Sequence, residues 1–146
     1  MESIPSSRLI SHWKTLWFDV KNRITYNLYP YGPLQVQNGK PVSGEGINGP
    51  AWTFGYGAVN INTDYSWNNF SSVRTSTGGT FDYLGYITKS LGLNMSSAQL
   101  GTMIIIHEFE HNTKKGAQET NQDKLDIYND CIKGASGKSV LGPLSQ

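Results

Sequence analysis

Between Ser96 and Gly116 the chain reads SSAQLGTMIIIHEFEHNTKKG, a stretch with little freedom to be anything except a buried helix. Ser96 suits the N-cap position, and Gln99 three residues later completes a capping box. Leu100 and the run Met103 to Ile106 are apolar, so the helix packs into a core rather than lying in water. Lys114 and Lys115 place positive charge where the helix dipole favours it, and Gly116 is a natural stop. The spacing predicts a helix from Ser97 to Lys115.

Within that helix HEFEH sets His107, Glu108 and His111 in the order H-E-x-x-H. Four residues is about one helical turn, so the two imidazoles project from one face and can share a metal ion. Zinc is the expected cofactor, because two histidines at this spacing match its nitrogen-ligand geometry. Glu108 stands beside the pair, within reach of a water in an open metal position, and is the expected general base. Glu110 lies four residues before Lys114 in the favoured order for an exposed ion pair and has no expected catalytic part. The remaining histidine, His12, falls in another predicted helix and reads as a surface residue.

No histidine follows His111, so a third side-chain ligand from downstream must be a carboxylate. Glu119, Asp123 and Asp126 are the candidates. Thr120 is a suitable N-cap for a second helix, with Asp123 at its third position. Leu125, Tyr128, Cys131 and Ile132 form its apolar stripe, and Gly134 closes it. A tight turn at Gly116 would bring Glu119 back beside His111. Asp123, a turn further on, would approach His107, and Asp126 is less well placed. HEFEH followed by ETNQD, Glu119 to Asp123, resembles the gluzincin metallopeptidases. The resemblance implies His107, His111 and Glu119 as zinc ligands, Glu108 as general base and Asp123 as the group that orients a ligating histidine or replaces Glu119 as ligand. The interval from His111 to Glu119 is shorter than in thermolysin-like enzymes and is more similar to small bacterial zincin-like domains, some of them in Rhs-type and other secreted proteins. The resemblance covers Ser96 to Lys133.

The rest of the chain sets the frame. At 146 residues it fits a single zincin-like domain over residues 1–146, and abundant Gly, Asn, Ser, Thr and Tyr point to a loop-rich α+β fold with a small sheet. A net charge of +1 gives no electrostatic reason to expect nucleic acid as a partner. No apolar run is long enough to span a bilayer and no signal-peptide core is present, so the chain reads as soluble as written, a mature product or a domain of a secreted protein. The lone Cys131 excludes an intrachain disulfide and is expected to be buried. Leu9, Ile10, Trp13, Trp17, Phe18 and Val20 predict a helix over residues 6–21, packed on the core, with a membrane-surface helix as the alternative because Arg8, Lys14 and Lys21 accompany the tryptophans.

Strands are predicted over Ile24 to Tyr29 and in Trp52 to Asp64, with Val59 and Ile61 alternating against Asn60 and Asn62. Val36 to Gly49 and Ser66 to Thr80 read as loops. Phe81, Leu84, Ile87 and Leu91 have helical spacing. Ala58 to Asn62 is the expected edge strand beside the motif helix, where an extended substrate would pair. Tyr128 is the nearest tyrosine that could face an oxyanion, with core packing as its other reading. Trp52 to Phe70 could instead form a carbohydrate-binding surface. These readings converge on a zinc-dependent peptidase with a protein or peptide substrate. The alternatives are a binding module with a structural zinc or none, and a toxin or effector domain using the same site.

Overall fold

The computed structural model describes residues 24–42, 48–53, 57–112 and 119–133. The predicted helix over residues 6–21, His12, Lys114, Lys115, Gly116 and Gly134 lie outside the described residues. What is described is an α+β arrangement of small sheets and three helices.

The main sheet contains β1 (Thr25–Tyr29), β4 (Ala51–Thr53) and β5 (Ala58–Asn62) in the order β1-β5-β4. β1 runs parallel to β5, and β4 runs antiparallel to it with Thr53 opposite Val59. β5 is therefore the central strand, which corrects the expectation that Ala58 to Asn62 forms the edge. The strand beside the motif helix is β4, and it has no further strand partner among the described residues.

The expected alternation along β5 also fails, because Asn60 and Asn62 are buried together with Val59. Both amides are satisfied by neighbours, so burial carries no unpaired polar group. Asn60 Oδ1 accepts from Asn27 Nδ2 at 3.2 Å and from the Tyr31 hydroxyl at 3.1 Å. Asn62 accepts from the main chain of Tyr31 and Asp64 and donates to the carbonyls of Gly32 and Gly49.

Two stretches read as loops contain short hairpins. β2 (Val36–Gln37) pairs with β3 (Lys40–Pro41) across Asn38-Gly39, and β6 (Val73–Arg74) pairs with β7 (Thr80–Phe81). Asn38 and Gly39 both have positive φ, at 55° and 73°, the backbone that a two-residue hairpin turn requires and that Asn-Gly favours. The second segment is anchored by Phe70 and Val73, which are fully buried. Tyr65 is also buried, whereas Trp52 and Trp67 are half-buried.

Helix α1 (Tyr83–Leu91) starts after Phe81, which belongs to β7. Asp82 caps it by accepting from Gly85 N at 2.8 Å, and Gly92 ends it in the left-handed conformation. Helix α2 (Ser97–Glu110) carries the expected capping box, with Gln99 N donating to Ser96 Oγ at 3.1 Å and Ser96 N to Gln99 Oε1 at 2.9 Å. It ends at Glu110 with His111 as C-cap, earlier than the predicted Lys115. Helix α3 (Asn121–Ile127) begins at Thr120, whose hydroxyl accepts from Asp123 N at 3.2 Å, and continues as a π-helical turn over Tyr128–Ile132. Cys131 and Ile132 are buried there, as their place in the apolar stripe requires.

Leu100, Met103, Ile106 and Phe109 of α2 pack with Leu34, Val59, Phe70 and Ile127 in one core. Burial of side chains of this size contributes about 1.5–3 kcal/mol each. Among the described residues no helix is long and apolar enough to cross a membrane.

Candidate metal centre

The site forms where the C-terminal turn of α2 meets β4 on one side and the start of α3 on the other. His107 and His111 lie one turn apart, their rings 4.9 Å between centroids and nearly perpendicular. Backbone at His111 is still right-handed helical, so ending the helix at Glu110 does not turn its side chain away.

Glu119 approaches this pair from the segment before α3. Its Oε1 is 2.7 Å from His111 Nε2, and both its oxygens are 3.2 Å from His107 Nε2. The ligand atoms of His107, His111 and Glu119 all lie within 4.8 Å of one another. Tetrahedral zinc with ligands at about 2.0–2.1 Å separates neighbouring ligand atoms by roughly 3.3 Å, so two imidazoles and a carboxylate at these spacings fit it. The helix C-terminus adds a favourable field for a cation.

Asp123 lies on the other side of the ring. Its Oδ2 is 3.0 Å from His107 Nδ1. Asp123 therefore meets the ring nitrogen opposite the one that faces Glu119, and the imidazole is held between two carboxylates. Asp126 is not part of this cluster; it accepts from Gln122 Nε2 at 3.0 Å.

Glu110 departs from expectation. Lys114 lies outside the described residues, and Glu110 is 4% exposed where a surface position was expected. The reason is helical spacing: three residues after His107, it shares the face that meets Asp123, and the ligand atoms of His107, Glu110 and Asp123 also lie within 4.8 Å of one another.

Glu108 is buried against β4. Its Oε1 accepts from the Thr53 hydroxyl at 2.7 Å. Burial raises its pKa above the ordinary carboxylate value, and the charge of Glu119 adds to the rise, while Thr53 and the two histidines pull it partly back. Glu119 shifts the other way. Burial pushes it up, but His107 and His111, by charge and by hydrogen bond, more than offset that and hold it low. The two carboxylates are thus separated in acidity, the arrangement that lets one stay ionised while the other trades a proton.

A cleft of about 450 Å³ opens beside the cluster, with His107, Glu108 and Glu119 in its wall. Trp52 of β4, Tyr65, Tyr83, Tyr86, Met103 and Ile104 are among the other residues that line it. Tyr83 is held protonated, its pKa pushed up to about 12 by burial and by the neighbouring Tyr86. Tyr128 is not among the residues that line the cleft, whereas Tyr65, Tyr83 and Tyr86 are. Thr53 was not apparent from the sequence, since nothing in a short strand marks which hydroxyl will meet a helix far along the chain.

No protein-family model, no curated protein and no solved structure matches this chain.

Proposed function

We propose that this chain is a zinc-dependent peptidase. The reading is carried by one observation: both motif imidazoles converge through Nε2 on the Glu119 carboxylate, with Glu108 in the same cleft wall. His107, His111 and Glu119 would hold the metal. Zinc, when bound, supplies Lewis acidity, polarising a carbonyl and making water more acidic.

The other steps belong to the chain's own residues. Asp123 holds His107 by Nδ1 and so aims Nε2 at the shared position. Glu108 takes a proton from the attacking water and returns it to the leaving amine as the peptide bond breaks. The raised pKa of Glu108 suits both halves of that exchange. Trp52 and the tyrosines give the cleft a largely apolar wall, which excludes water and accepts substrate side chains. Substrate is a protein or peptide.

Metal analysis of the purified chain, together with cleavage of fluorescently labelled casein by wild type and Glu108→Gln, tests the proposal. Stoichiometric zinc in both proteins, with cleavage reduced by about 10²-fold or more in the variant, is the expected result. Absence of stoichiometric zinc from the wild type, or a variant that cleaves as well as the wild type, overturns it.

A further inference from the structure

We infer that Thr53 is the positioning residue for the general base: its hydroxyl fixes one oxygen of Glu108 and leaves the other to meet water. The inference rests on the peptidase reading of the site.

The contact joins residues 55 positions apart and is 2.7 Å long, as expected of a hydroxyl donating to a charged oxygen. The same hydroxyl also lies 3.2 Å from the Glu108 carbonyl oxygen. One hydroxyl thus touches both the side chain and the main chain of a single residue, holding the carboxylate back against its own helix. Among the described residues, Oε2 of Glu108 accepts no hydrogen bond, so Oε1 is the tethered oxygen and Oε2 the available one.

Thr53 is itself well fixed. It pairs in β4 opposite Val59, whose side chain is fully buried in the core. A strand favours a β-branched residue here but has no need of a hydroxyl, and valine would fill the same shape. The hydroxyl therefore has its clearest use toward Glu108. Because β4 also contributes to the cleft wall through Ala51 and Trp52, the strand that contacts substrate is the strand that orients the base.

Thr53→Val and Thr53→Ser in the zinc-loaded full chain separate this role from packing. With labelled casein, the valine variant is expected to lose about tenfold or more in kcat, with KM and zinc affinity unchanged, because a misdirected base forfeits part of a 10²–10⁴-fold contribution. The serine variant is expected to retain most of the rate. A valine variant with wild-type kcat, or a serine variant as slow as the valine one, overturns the inference and leaves the peptidase reading intact.

A second measurement needs neither metal nor substrate. In the metal-free protein, thermal unfolding of Thr53→Val, Glu108→Ala and the double variant is expected to be non-additive, the double losing less than the sum of the singles. Additive losses overturn the inference. Zinc-loaded wild type that cleaves nothing overturns the peptidase reading, and the role of Thr53 with it, even where the coupling is present.

Discussion

At the scale of single residues the site separates its carboxylates by what each one touches. Glu119 faces both imidazoles through Nε2, whereas Asp123 faces one through Nδ1. Removing a ligand should weaken zinc binding more than removing the group that orients one, a loss usually of about 10–100-fold. Glu119→Ala is therefore expected to lower zinc affinity further than Asp123→Ala in competition with a chromophoric chelator; the reverse order would make Asp123 the ligand. Glu108 has a different consequence. Its folded pKa is raised, so between the ordinary carboxylate value and that raised value the folded state binds more protons than the unfolded chain. Stability then falls as pH rises through this window, and the full penalty stands above it. Metal-free Glu108→Gln, which cannot ionise, should melt higher than wild type at pH 7, with the gap closing toward the ordinary carboxylate value of about 4.3. A gap independent of pH would show that burial of this charge is not what separates the two proteins. Glu119 has the opposite sign, its contribution being lost as pH falls through its lowered value, and it is unchanged in this comparison.

At the scale of elements, local chemistry predicted the helices better than the strands. The capping box of α2 and the Thr120 cap of α3 stand where Ser96, Gln99 and Thr120 indicate, because a cap is settled within one turn of chain. Gly85 has a specific place in α1: a Cβ at that position would run into the Asp82 carboxylate that caps the helix. Gly85→Ala should thus destabilise the protein by about 0.5–2 kcal/mol through loss of the cap, although alanine is the better helix former, and urea unfolding reads the sign directly. Asn38-Gly39 is a hairpin signal in the sequence, set within a stretch whose Gly, Asn and Pro content otherwise reads as loop. The buried pair Asn60 and Asn62 was not legible, since polar residues report exposure only when nothing nearby satisfies them.

At the scale of the whole molecule, the candidate centre ties together elements that meet only on folding. His107 and His111 come from the end of α2, Glu119 from the approach to α3, and Thr53 from β4. An ion held there would bind the folded chain and not the unfolded one. Zinc at about 1,000 times its Kd adds about 4 kcal/mol by mass action. Calorimetry should show Tm rising with zinc and falling with chelator, and His111→Ala should abolish the response. A Tm indifferent to zinc in the wild type would mean that the three groups do not act as one site.

The part of the site that lies within a single helical turn is legible in the amino-acid order. The spacing of His107, Glu108 and His111, the apolar run before them and the Ser96 cap follow from helix geometry, which is set by the covalent chain. That order also narrows the downstream partner to carboxylates, because no histidine remains after His111. Folding in three dimensions sets which nitrogen each carboxylate meets, that β4 rather than β5 flanks the motif helix, that Glu110 is buried, and that Thr53 donates to Glu108 from 55 residues away. Those are contacts between distant segments. They are fixed by which surfaces bury the most apolar area while leaving no polar group unpaired, a balance reached over the whole chain and not within any window of it.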